Sequence, residues 1–353
     1  MWNSAAGNRC NDSIVGLLDR MTQLYPLLMS PAFDPRPWGT LDLSAIYPNH
    51  KFNERIGEAW LTGDNCLVSN GPLARRSLAD LSREYGSELV GTVAPDDQRF
   101  PLLLKFLFPE EYLSVQVHPD DETAHRFGQP WGKTECWYVA HARPGAQVAL
   151  GLKPGVTRVE LQQAIAENRA EQLLDFINVY PGEMIYVAGG TVHTLGPGVV
   201  IVETQQQSDT TYRLYDFGRP RPLHLERGLA SVKEHNASGK VIRPAPEAID
   251  GGKNRSCPMI AAPYFTVDLL ELKAPHEFAG GHASGKTSVE ILVAVEGCGV
   301  VESEGRDSVT LTKGDAVVIP ASLPGFRLRP QWQLEVLRAS LPGGTLPEPK
   351  TRR

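Results

Sequence analysis

The feature that most constrains the fold is punctuation: 33 glycines and 28 prolines interrupt 353 residues. Proline fixes φ and lacks an N–H, so a chain broken this often has little room for long helices. Between the breaks lie short β-branched runs at 146–150, 183–187, 199–203, 289–295 and 308–319. Short strands between turn signals predict a mainly β protein, a sandwich or barrel. Helical spacing is confined to three places. The first is 73–85, with Leu78 and Leu81 on one face and Gly86 as a stop; the second is 120–127, after Pro119 and before Gly128. The third is 157–177, with Val159, Leu161, Ile165, Leu173, Leu174 and Ile177 in a charged background, which Asn168-Arg169 divides into two helices.

A chain of this length exceeds what one hydrophobic core supports, so two domains are expected. The boundary falls in the polar stretch 233–256, which holds Gly239, Pro244, Pro246, Gly251 and Gly252. This gives a disordered leader at 1–20, a first domain at 21–240 carrying the helical segment 157–177, and a second at 241–353. The leader has no basic region followed by an apolar core, so it is not read as a secretory signal. No run of 18 apolar residues predicts a membrane span. A net charge of -6 gives no basic surface for nucleic acid. Cys10, Cys66, Cys136, Cys257 and Cys298 are scattered without a Cys-x-x-Cys pair, the pattern of reduced thiols in a cytoplasmic protein.

Chemistry concentrates in the first half. Gln116 and His118 are two residues apart and point to one face of a strand, while neighbouring strands can bring in Glu135 and His193. Two imidazoles, a carboxylate and an amide oxygen make a four-ligand site open to water or substrate. That donor set suits zinc better than a purely oxygen-seeking ion. The spacing Gly182, Ala188, Gly190, His193 is similar to the second motif of the cupin superfamily, which delivers a metal-binding histidine from a tight turn. The second half repeats the spacing as Gly314, Pro320, Ser322, Gly325, without the histidine; Glu290 and Gly297 resemble the first cupin motif, with His282 as its remnant. The resemblance implies two cupin jelly-roll barrels, the first binding metal and the second degenerate.

The local sequences narrow this. Phe100-Pro-Leu-Leu-Leu-Lys105, Leu113-Ser-Val-Gln-Val-His-Pro-Asp120, Gly132-Lys-Thr-Glu135 and Ser208-Asp-Thr-Thr-Tyr-Arg-Leu-Tyr-Asp216 resemble class I mannose-6-phosphate isomerases, as do Pro37-Trp-Gly39 and Gly57-Glu-Ala-Trp60. They run collinearly across residues 30–345, with the helical insertion of larger members reduced to 157–177, as in the compact bacterial form. Ala188 departs from the proline that cupins usually place there.

The resemblance implies one zinc ion per chain on Gln116, His118, Glu135 and His193, with Lys105, Lys133, Glu203, Asp209 and Arg213 around it. An aldose–ketose isomerase must move a proton between C2 and C1 through an enediol or enediolate, which needs a titratable group in reach and compensation for negative charge. Lys133 shares the cavity of Glu135 two residues on, where a neighbouring dication favours its neutral amine. Glu203 is its equal rival. Arg213 would hold developing charge, Ser114 would contact the phosphate, and Lys105 and Asp209 would contact the sugar phosphate. Glu58, Trp60 and Trp137 are left outside the site. The partner expected is a small sugar phosphate, on a monomer or homodimer. Two other classes share the ligand set: an iron cupin oxygenase, and a sugar-binding regulatory barrel without turnover.

Overall fold

The computed structural model describes residues 23–280 and 285–353, so the leader and His282 lie outside the described residues. The fold is mainly β, in three antiparallel sheets. A five-stranded sheet runs Tyr212–Tyr215, Val115–Val117, His193–Leu195, Gln147–Leu152, Leu174–Asn178. An eight-stranded sheet runs Ala32–Thr40, Ile56–Trp60, Leu102–Leu107, Val199–Gln206, Glu135–Ala142, Met184–Val187, Gly239–Val241, Thr351–Arg352. The ten-stranded sheet is built mainly from the second half, around the long strands Glu290–Glu302 and Gly325–Ser340.

The eight-stranded sheet is the middle layer, and its strands read as unbroken apolar runs because both faces are covered. Ile201, Trp137, Val139 and Leu107 pack toward the five-stranded sheet with Val148, Leu150 and Leu195. The alternate residues Val202, Cys136, Tyr138, Leu104 and Phe106 pack toward Leu27, Met259, Val293 and Leu337 of the ten-stranded sheet. Period-two alternation then settles where the polar residues go. Lys105, Glu135 and Glu203 share the parity of Leu107, Trp137 and Ile201, so all three enter the space between the five- and eight-stranded sheets. On the opposite wall, Val115 and Val117 point outward into a cluster with Leu161, Ile165 and Ala170, which leaves Gln116 facing in.

Two helical expectations shorten. The first helix spans Leu78–Tyr85, where the Ser77 hydroxyl accepts from the Asp80 N–H at 3.1 Å, and Leu78 and Leu81 are buried. The second spans Asp121–Arg126, capped by Asp120. The third is corrected. A helix at Arg158–Ala166 opens with a Thr157/Glu160 capping box, Asn168 turns the chain at φ 55°, and a 3-10 turn follows at Ala170–Leu173. Leu174–Asn178 is then a strand on the edge of Gln147–Leu152, not a second helix. Leu174 and Ile177 serve sheet extension, Leu173 closes the 3-10 turn, and Val159 is 73% exposed. A helix at Leu225–Ser231 had no clear sequence signal.

The chain leaves the middle sheet after Gly239–Val241 and enters the ten-stranded sheet at Glu247–Ile249, inside the polar stretch. The sheets nevertheless trade strands across that point. Leu27–Ser30 pairs with Ala316–Ile319, and Thr351–Arg352 pairs with Gly239–Val241. No helix of the described residues is long and apolar enough to cross a membrane.

Candidate active site

His118, Glu135 and His193 converge from three strands or their ends, with one ligand atom of each within 4.8 Å of the others. Register brings them there: His193 lies opposite Gln116 in the five-stranded sheet, and Glu135 opens the strand that pairs with Met184–Val187 and Val199–Gln206. Each imidazole uses Nδ1 on a backbone carbonyl, Thr210 O for His118 and Thr191 O for His193, both at 2.9 Å. Donation from Nδ1 leaves each Nε2 as an acceptor, directed at Glu135 from 3.5 Å. Gln116 has its amide 3.2 Å from His193 Nε2, and a half-turn of that amide presents its oxygen to the same space.

The donor set fits a divalent cation. Two imidazole acceptors and a carboxylate meet in a space where Glu135 Oε2 is buried without a well-formed hydrogen bond, a position that a cation would satisfy. Lys133 supplies part of that charge, with Nζ 2.9 Å from Glu135 Oε2 and 3.2 Å from His118 Nε2. It is 3% exposed.

A second polar layer lies behind the first. Lys105 bridges Glu203 Oε2 and Glu58 Oε2, each at 3.2 Å. Glu58 also accepts from Arg36 Nε at 3.0 Å and Trp60 Nε1 at 2.8 Å. The Trp137 indole donates to Glu135 Oε1 at 3.1 Å and Glu203 Oε1 at 3.3 Å, tying the two carboxylates together. Glu58, Trp60 and Trp137 therefore belong to the polar cluster from which sequence reasoning left them out. The usable signal was period two: Glu58 and Trp60 sit on a strand whose Trp60 pairs directly with Lys105.

Electrostatics separate the groups. Burial, with the nearby Lys133 ammonium and the second imidazole, pushes His118 well below its ordinary value; burial lowers His193 to about 4. Burial and the facing Glu203 raise Glu135 to about 8. Burial would raise Glu203 as well, but Lys105 and Lys133 hold it down, to about 2. Burial works against the Lys105 ammonium, yet Glu203 and Glu58 outweigh it and keep the group charged.

The other expected residues lie around this centre at varying depth. Ser114 is buried, its hydroxyl 3.3 Å from the Gln116 amide oxygen. Arg213 pairs in register with Gln116, bonds Pro222 O through Nη1 at 2.7 Å, and stands 3.9 Å from Asp216. Its Nε is buried without a partner. Asp209 is exposed on the loop that leads into the strand Tyr212–Tyr215.

Comparison with known proteins gives the family. The family "Phosphomannose isomerase type I, catalytic domain" matches residues 40–133. The mannose-6-phosphate isomerase of Streptococcus mutans is 33% identical over 86% of this chain and 94% of its own. Mannose-6-phosphate isomerase ManA of Bacillus subtilis is 33% identical over 86% of this chain and 95% of its own. The crystal structure of the mannose 6-phosphate isomerase from Bacillus subtilis superposes with a TM-score of 0.79 at 30% identity, covering 90% of this chain and 99% of that one. The chain belongs to the type I mannose-6-phosphate isomerases, a family of aldose–ketose isomerases.

Proposed function

We propose that this protein is a zinc-dependent isomerase interconverting D-mannose 6-phosphate and D-fructose 6-phosphate through an enediol or enediolate. The observation that carries the reading is the buried convergence of His118, Glu135 and His193 beside Lys133 and Glu203. Those three residues and the Gln116 amide oxygen would hold the zinc, which supplies Lewis-acid compensation for negative charge developing on the sugar oxygens. The iron oxygenase has no comparable support, because nothing beyond the ligand set favours it.

The chain's own groups account for the proton. Glu203 is the carboxylate that Lys105 holds ionised, its Oε2 lying 3.2 Å from that ammonium. It takes the C2 proton as that C–H pair becomes the C1=C2 double bond and O1 gains a proton. Return of the proton to C1, with loss of the O2 proton, completes the ketose. Lys133, 3.9 Å from Glu203, serves the oxygens as proton donor and acceptor. Arg213 offers its free Nε–H to developing charge, Ser114 offers a hydroxyl to the phosphate, and Lys105 and Asp209 complete the sugar-phosphate contacts. The reading also takes the five- and eight-stranded sheets as one cupin barrel carrying the site, and the ten-stranded sheet as a second that lost its ligands; Gly325 stands where the second barrel's histidine would be.

The test is formation of fructose 6-phosphate from mannose 6-phosphate by purified protein as isolated, after chelation, and after zinc is returned. Turnover should vanish on chelation and return with zinc. No turnover in folded, metallated protein would overturn the reading.

A further inference from the structure

We propose that Asp121 and Tyr264 form a positioning device through which the second half of the chain holds the Lys133–Glu135 segment of the active site; the kinetic part of this inference rests on the isomerase reading above. Three successive amides precede the ligand Glu135, and none of the three donates to the backbone of a neighbouring strand. The Gly132 N–H donates to Asp121 Oδ1 at 2.8 Å, and the Lys133 N–H donates to Pro119 O at 2.9 Å. The Thr134 N–H donates to Gln206 Oε1 at 2.9 Å, and Gln206 Nε2 in turn donates to Asp121 Oδ1 at 3.0 Å. One carboxylate oxygen thus anchors the backbone on both sides of Lys133.

The other oxygen of Asp121 accepts from the Tyr264 hydroxyl at 2.8 Å. Tyr264 lies in the turn between Asn254–Ala261 and Thr266–Leu272, two strands of the ten-stranded sheet. That sheet contributes no member of the His118, Glu135, His193 cluster, yet its phenol fixes the rotation of the Asp121 side chain. The segment also has little freedom to reseat. A Cβ at Gly132 would fall 2.6 Å from the backbone of Asp120 and Asp121. Asp121, Gln206 and Tyr264 line a cleft of about 440 Å³ between the two halves, so water can reach Asp121 when the phenol is lost. Loss of the hydroxyl should therefore loosen the segment without leaving a sealed, unsolvated charge.

The experiment compares wild type, Asp121→Ala, Asp121→Asn and Tyr264→Phe, each metallated. Because misplacement by about 1 Å costs on the order of 100-fold in rate, Asp121→Ala should lose ~10–100-fold in kcat with KM nearly unchanged, and Tyr264→Phe ~3–10-fold. Asp121→Asn should recover most of the rate, since its amide oxygen still accepts from Gly132 and Gln206 while its NH2 can donate to the phenol oxygen. Amide exchange at 132–135 should quicken in Asp121→Ala while Val199–Gln206 stays protected. The inference fails if Asp121→Ala keeps both wild-type kcat and wild-type exchange at 132–135, if the asparagine variant is no better than alanine, or if the Tyr264→Phe loss merely tracks a fall in Tm. An inactive wild type whose exchange still responds to Asp121→Ala overturns the isomerase reading and leaves the positioning role standing.

Discussion

Metal uptake near neutral pH should release one proton, and that proton should come from the carboxylates. Burial holds His118 and His193 well below the ordinary imidazole value, so both are neutral at pH 6–8 and have nothing to release. Glu135 is pushed up to about 8 by burial and by Glu203, so the Glu135–Glu203 pair keeps a proton that a cation must displace. Each pH unit below about 8 costs ~1.4 kcal/mol, a factor of ten. Apparent zinc affinity should then fall about 100-fold from pH 8 to pH 6 and level off above pH 8. The sign for the metal-free protein follows from the same shift. A carboxyl raised from 4.5 to about 8 stabilises the fold fully below pH 4.5, and this contribution is lost as pH rises through 8, so added zinc should stabilise most at the alkaline end. Competition against a chromophoric chelator gives the affinities; titration calorimetry in buffers of different ionisation enthalpy counts the proton. Affinity that is flat from pH 6 to 8, or proton release that ends near pH 6.5 as free imidazoles would give, refutes the reasoning.

Two further predictions concern the polar layer. Trp137→Phe removes the indole donor shared by Glu135 and Glu203, so zinc affinity should weaken ~10–100-fold, with activity restored by excess zinc; unchanged affinity would remove Trp137 from the site. Lys105→Met leaves Glu58 and Glu203 facing each other and should cost ~3–5 kcal/mol in denaturant unfolding at pH 7. Glu203's contribution is present above pH 4.5 and lost as pH falls toward 2, so the gap between variant and wild type should narrow in acid; a gap that widens contradicts the assignment.

What could be read from the sequence was what short periods encode. Gln116 faces inward because of strand alternation and His118 follows two residues on, just past the strand end, while Lys133 ends 2.9 Å from Glu135 although it precedes the strand that Glu135 opens. The three runs 146–150, 183–187 and 199–203 became strands because their β-branched composition and flanking turns agree with their tertiary setting. Leu174–Asn178 was misread because an edge strand following a helix presents apolar residues at spacings that also fit a helix, and the only local signal of the change was Asn168. The second polar layer was hidden for another reason. Glu58 meets Lys105 only after two strands 47 residues apart pair in register, and no local pattern encodes that partnership. The tie from Tyr264 to Asp121 spans 143 residues and is equally invisible to periodicity.

The exchange of strands between the halves sets a timetable. During synthesis at about 5–20 residues per second, the strand Leu27–Ser30 waits roughly 15–60 s for its partner Ala316–Ile319. The far edge of Gly239–Val241 stays unpaired until Thr351–Arg352 is made. The half that carries His118, Glu135 and His193 is therefore made long before its sheet is closed, and for that interval the nascent chain offers an open edge to any other strand nearby. A folding helper acting on this protein would be needed early and released late, and high expression would draw first on that waiting time.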